Sequence, residues 1–314
     1  MIAFLFPGQG SQAVGMGRAF YEGSARAKAV FEEANAALGT DLTRVIFEGP
    51  EADLALTANT QPAVLTVSVA AAAACAEQGL SPALSAGHSL GEYSALVVAG
   101  ALGFADAVRI VRRRGQYMQE AVPVGTGAMA AMMGLDLAVV EALCAEAARD
   151  EVVQVANVNS EAQIVVAGHR SAVERAVMLA SRQGGRVKSV MLPVSAPFHC
   201  ALMAPAAERL ARDLDGIAVA DPRFPVVRNV DGGVTRTAAE VKPFLLRQVA
   251  SPVRWTDCLR TLEREGATTW LEVGPGRVLT GLLRRTIDGA RGHAVEDPES
   301  LEKAAIALEG GRAA

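Results

Sequence analysis

Histidine is scarce in this chain, with four among 314 residues, so any reaction that needs an imidazole must choose among His88, His169, His199 and His293. Cysteine is equally scarce. Cys75, Cys144, Cys200 and Cys258 stand far apart without a C-x-x-C pair, which argues against a structural zinc site or a disulfide framework and leaves reduced thiols. Excess charge is missing too: a formal net charge of −4 gives no electrostatic footprint for nucleic acid, and an anionic ligand must be met by a local cluster of cations. No run is apolar for long enough to span a bilayer, since residues 64–76 are too few and are interrupted by Thr66 and Ser68. The first six residues are apolar but lack a basic leader and stop at Pro7-Gly8, so they read as a buried strand and not as a signal peptide. These absences imply a cytoplasmic protein with neither nucleic acid nor membrane as partner.

What is present is core-forming: 51% of residues are hydrophobic, enough for one large domain or a large domain carrying a smaller insertion. A strand over 2–6 leads into a Gly-rich loop over 9–17 and a helix over 18–38. A helix over 62–78, a short strand over 83–86 and a helix over 90–99 follow. Between Pro123 and Pro193 the pattern changes, with strands at 128–134, 152–158, 163–167 and 187–194 and helices at 137–149 and 172–183. That order, β-α-β-β-α-β, is the ferredoxin-like split unit, read here as an inserted subdomain over 125–193. Ser171 and Glu174 fit a capping box for its second helix. Strands at 226–230 and 269–273 and helices at 202–214 and 278–287 return the chain to α/β character, so the large domain is discontinuous, over 1–124 and 194–314. The polar tail after Gly310 reads as frayed.

Gly87-His88-Ser89-Leu90-Gly91 fits the G-x-S-x-G nucleophile elbow, and a strand before it with a helix after it is the context that elbow requires. Gly and Ser also mark ordinary turns. A serine nucleophile needs a base. His88 sits on the turn itself with its ring expected to point elsewhere, His169 ends a strand of the small unit, and His293 lies in a polar C-terminal segment. His199 remains, in V-S-A-P-F-H-C over 194–200, although a lone histidine is more often structural and spacing does not decide the matter.

Six collinear stretches carry a resemblance: F-P-G-Q-G-S-Q at 6–12, G-H-S-L-G-E-Y-S at 87–94, R-R-G-Q-Y-M at 113–118, A-P-F-H-C-A-L-M at 196–203, N-V-D at 229–231 and L-E-V-G-P-G at 271–276. Together they resemble the malonyl-CoA:acyl carrier protein transacylase family over nearly the whole chain. The resemblance implies an α/β-hydrolase-like core with a ferredoxin-like subdomain, no cofactor, a monomer, and ping-pong transfer of malonyl from malonyl-CoA to acyl carrier protein for fatty acid synthesis. It implies Ser89 as nucleophile and His199 as base, backbone N–H groups of Gln9 and Leu90 as the oxyanion hole, and Arg114 as the holder of the free malonyl carboxylate. The backbone carbonyl of Gln248 would orient His199 in place of an acidic third member. Phe198 would influence the choice of acyl group, or serve simply as a core aromatic.

Arg112 and Arg113 read as the solvated end of a helix, and the E-V-G-P-G loop as structural. Arg182, Arg186, Lys188, Arg284 and Arg285 are candidates to meet CoA phosphates or the acidic carrier protein. Three competitors stand beside this reading: a serine esterase or thioesterase, a carrier-binding module with a degenerate site, and a free-standing acyltransferase of a polyketide pathway.

Overall fold

The structure, a computed structural model, describes residues 1–194 and 196–310. Among the described residues ten strands form two sheets: β1 (Ile2–Phe6), β2 (Leu84–Gly87), β3 (Gly127–Met133), β4 (Val153–Ser160), β5 (Gln163–His169), β6 (Lys188–Met191), β7 (Val226–Val227), β8 (Val234–Thr235), β9 (Thr269–Val273) and β10 (Gly292–Val295). The larger sheet runs β10-β9-β1-β2-β7-β8 and is parallel except for the β7–β8 hairpin. Its central strand, Ile-Ala-Phe-Leu-Phe, is apolar throughout because helices cover both faces. Phe6 pairs with Gly87, so the loops leaving the C-terminal ends of β1 and β2 start side by side, where a parallel sheet gathers its ligands.

The smaller sheet, β4-β5-β3-β6, is antiparallel, and the strands and helices of residues 127–191 follow in the order β-α-β-β-α-β. Side chains alternate across a strand, and β3 uses both faces. Ala128, Ala130 and Met132 pack on the helices Leu137–Ala148 and Arg170–Ser181, whereas Met129 and Ala131 join the core of the larger unit. An irregular stretch of β4 is stitched to the larger unit where Val158 N–H donates to Val253 and Val253 N–H to Ala156.

Several elements differ from the sequence reading. The helix read over 18–38 is two, Arg18–Gly23 and Ala25–Leu38, because extended Ser24 breaks it and caps the second through its side chain. The long helix begins at Thr57, not Pro62, and carries Pro62 in its interior. The capping box at Ser171 and Glu174 does not form: the helix starts two residues earlier, at Arg170, and Ser171 Oγ donates to Glu151 instead. A capping box does form at Thr237 and Glu240. Residues 201–203 form a 3-10 turn before the helix Ala204–Asp215. His293 belongs to β10, an edge strand of the large sheet, and not to an irregular polar segment. The tail after Gly310 lies outside the described residues. Among the described residues no helix is long and apolar enough to cross a membrane, and all four cysteines are free and buried.

Candidate active site

Ser89 sits between β2 and the helix Gly91–Val98 with φ of +51°, a left-handed conformation that non-glycine residues rarely hold without a reason. The neighbouring glycines make this possible. A Cβ on Gly87 would stand 1.8 Å from Gly91 carbonyl carbon, one on Gly91 2.1 Å from Phe6 O, and one on Gly8 2.4 Å from His88 O. The first and second loops are therefore packed backbone to backbone. Asn229, just after β7, fixes the turn from outside: it accepts from Ser89 N–H at 2.7 Å and donates to Gly87 O at 2.8 Å.

His199 is the other residue held at positive φ in this region, at +61°. Its Nε2 lies 2.7 Å from Ser89 Oγ and its Nδ1 3.0 Å from the backbone oxygen of Gln248. A carbonyl only accepts, so Nδ1 carries the proton and Nε2 is free to accept from the serine hydroxyl. Burial, and then the positive charge of Arg114, push the imidazole down to about 3, which keeps it neutral. Pro197 anchors the loop against Gly127, where a Cβ would meet the proline ring at 2.4 Å.

Arg114 is 1% exposed. It reaches the site because Gly115 lets its helix, Phe104–Glu120, lie against the start of the helix Thr57–Glu77; a Cβ there would be 2.6 Å from Thr57 O. Its Nη1 donates to Gln61 Oε1 at 2.8 Å, and Nη2 donates to Gln248 Oε1 at 2.9 Å and to Ser89 Oγ at 3.2 Å. Tyr93 lies under the guanidinium, 5.5 Å away. Among the described residues no carboxylate comes within 4 Å of it, and Nε has no partner. A buried cation held by neutral amides beside a serine is chemically suited to receive an anion.

A cavity of about 130 Å³ brings Gln9, Ser89, Leu90, Arg114, Phe198 and His199 together, closed on its apolar side by Met118, Met129, Leu192 and Val194. A second cavity of about 220 Å³ shares Gln9, His88, Asn157 and Leu192 with it. Gln9 lies on the loop after β1, and Leu90 opens the helix after Ser89, so their backbones border the serine from two sides. His88 turns away as expected, its Nε2 2.9 Å from Asn159 Oδ1 of β4. His169 accepts from Val152 N–H within the small unit. Arg112 is half-buried and Arg113 pairs with Asp213 on the surface. Arg182, Arg186, Lys188, Arg284 and Arg285 are exposed, in two separate groups. No cluster of metal-ligating side chains occurs among the described residues.

Four participants carried no role in the sequence reading: Gln61, Glu92, Asn229 and the side chain of Gln248. Glu92 is 3% exposed, and its Oε2 accepts from Asn229 N–H at 2.9 Å and Gln248 Nε2 at 2.8 Å. Glu92 and Asn229 stood inside quoted motifs, which was a usable signal. Gln61 offered none, since a glutamine before a proline has no distinguishing pattern.

Residues 3–303 match the family model described as acyl transferase domain. The chain is similar to the malonyl CoA-acyl carrier protein transacylase of Bacillus subtilis strain 168, 47% identical over 309 residues that cover 98% of this chain and 97% of the relative. Among solved structures it resembles the malonyl CoA-acyl carrier protein transacylase of Coxiella burnetii, with a TM-score of 0.95, 42% identity and coverage of 98% and 97% of the two chains. It also resembles a malonyl-transacylase solved in complex with its type II PKS acyl-carrier protein, with a TM-score of 0.94, 45% identity and coverage of 98% and 99%.

Proposed function

The chain belongs to the acyl transferase domain family, and from that premise we propose that it transfers malonyl from malonyl-CoA to the phosphopantetheine thiol of an acyl carrier protein, supplying fatty acid synthesis. The observation that carries this reading is Arg114, a buried guanidinium 3.2 Å from the Ser89 hydroxyl with no carboxylate of its own. An esterase has no use for such a group. A malonyl unit brings the missing carboxylate and places its thioester carbon at the serine.

In this mechanism Ser89 Oγ attacks the thioester carbon while His199 Nε2 takes its proton. The tetrahedral oxyanion is met by backbone N–H groups of Gln9 and Leu90, and the C–S bond breaks as His199 returns the proton to the departing CoA thiolate. The carrier's thiol then repeats the steps in reverse on the malonyl-serine ester. Gln248 O holds Nδ1–H throughout, so the dyad needs no acid. Phe198, in the wall beside the histidine, would crowd an α-branched acyl group. No cofactor enters any step.

The element order supports reading residues 125–193 as a ferredoxin-like subdomain inserted in an α/β-hydrolase-like core of 1–124 and 194–314. We place the protein in the cytoplasm as a monomer. The likeness to the malonyl-transacylase bound to a type II PKS carrier favours one alternative setting, a polyketide pathway, in which the chemistry is unchanged and only the carrier differs.

Intact-protein mass spectrometry after mixing with malonyl-CoA or acetyl-CoA tests the reading. A malonyl adduct is expected on the wild type and absent from Ser89→Ala, and Arg114→Ala should exchange preference towards acetyl. Free CoA without an adduct would identify a hydrolase, and neither product a binding module.

A further inference from the structure

Gln248 lies between two charges. Its Nε2 donates to Glu92 Oε2 at 2.8 Å and to Ser89 O at 3.0 Å, while its Oε1 accepts from Arg114 Nη2 at 2.9 Å. The two ends of an amide are nearly equal in shape, so partners decide which way it points. A carboxylate only accepts and a guanidinium only donates. Glu92, together with the carbonyl of Ser89, therefore fixes the NH₂ end, and the oxygen is left for Arg114. The same Oε2 accepts from Asn229 N–H, and Asn229 in turn holds Ser89 N–H and Gly87 O. One carboxylate thus stands behind both the acyl-binding arginine and the nucleophile's turn without lining the cavity itself.

We infer that Glu92 is a positioning residue for acyl selection: by orienting the Gln248 amide it holds the Arg114 guanidinium where a substrate carboxylate must meet it. The inference rests on the proposed malonyl transfer. An acidic side chain buried at 3% exposure, with no ion pair among the described residues, calls for a role beyond packing. Its burial raises the carboxyl to about 7, against the pull of Asn229, Gln248, Arg114 and Arg228, a cost that a purely packing role would avoid.

Glu92→Gln keeps the shape but removes the charge. The new amide oxygen can still accept from Asn229 N–H and Gln248 Nε2, but as a neutral acceptor it holds the Gln248 amide, and through it Arg114, less firmly. A carboxylate-bearing acyl group should feel this and an acetyl group should not. The test measures the rate of acyl-serine formation at pH 8 with malonyl-CoA and acetyl-CoA for wild type, Glu92→Gln, Gln248→Met and the double variant, with thermal melting alongside. We expect the malonyl-to-acetyl ratio to fall by about fivefold or more in each single variant through the malonyl rate, and the double variant to fall no further than Gln248→Met, because both act through one amide. Equal losses for both acyl groups, an unchanged ratio, or additive losses would overturn the inference. Should Glu92→Gln fail to fold, an unchanged ratio in Gln248→Met overturns it and a lowered one upholds the link to Arg114. A wild type that forms no malonyl ester would instead sink the proposed function.

Discussion

Arg114 Nη2 donates to Ser89 Oγ across 3.2 Å, on a hydroxyl whose other neighbour is His199 Nε2 at 2.7 Å. The cation proposed to bind the substrate thus also bears on the proposed base. Burial is the larger reason that His199 sits near 3, and Arg114 the second. A bound carboxylate offsets that second contribution and makes His199 more basic just when it must accept a proton. Replacing Arg114 with Met should imitate the offset, raising the His199 midpoint in a ring-nitrogen NMR titration relative to the wild type. An unmoved midpoint would show that the two side chains are not electrostatically coupled.

The partner of His199 Nδ1 is the carbonyl of Gln248, 3.0 Å away, and no aspartate occupies that place. Asp106 pairs with Arg109, and Asp136 stands at the start of a helix of the small unit without a side-chain capping bond. Steady-state transfer rates of Asp106→Asn, Asp136→Asn and Asp150→Asn should each stay within about tenfold of wild type, whereas loss of an orienting triad acid costs on the order of 10⁴. A loss of the larger size in any of the three would put an acid back into the mechanism.

Backbone packing around the elbow leaves no room for a methyl group. Gly91→Ala puts a Cβ 2.1 Å from Phe6 O, so β1 and the nucleophile helix must separate, at a cost of roughly 3 kcal/mol or more. Gly281→Ala is the natural control: it lies in the helix Val278–Thr286 with nothing within 4 Å of the added carbon, and should gain about 0.5–1 kcal/mol from helix propensity. Denaturant melts of the two variants should move in opposite directions. A neutral Gly91→Ala would mean that the elbow is softer than its contacts indicate.

These contacts also show what was legible in the sequence. Gly-x-Ser-x-Gly, a strand before it and a helix after it were readable because the glycines answer a local steric need. The β-α-β-β-α-β order was readable from hydrophobic periodicity. Pairing Ser89 with His199 was not, since 110 residues separate them and only the fold closes the gap; that step came from resemblance to a family. The parts played by the Gln61 and Gln248 side chains were hidden for a different reason. Amides leave no periodic pattern, and their roles exist only through partners supplied by other elements. Ser171 failed as a local signal, and Ser24 passed unread inside one long helix, for the same kind of reason: a hydroxyl can cap a helix or break one, and its neighbours in space decide which.

Glu92 makes a stability prediction whose sign can be worked out. Burial lifts its carboxyl from 4.5 to about 7, so between those values the native state holds a proton that the unfolded chain has released. Its contribution is then full below 4.5 and lost as pH rises through 7. His199 acts oppositely: it is held near 3 against 6.5 in the open chain, so the unfolded state takes up the proton as pH falls below 6.5 and stability drops on the acid side. The two effects overlap in the wild type and are separated by comparing it with Glu92→Gln, which lacks only the first. Each pH unit inside the Glu92 window is worth at most about 1.4 kcal/mol. The melting temperature of Glu92→Gln minus that of wild type should therefore climb steadily from pH 5 to 7.5 and then level off. A difference that stays flat over this range would mean that the folded protein keeps Glu92 ionised throughout, with Arg114 and Arg228 compensating its burial in full.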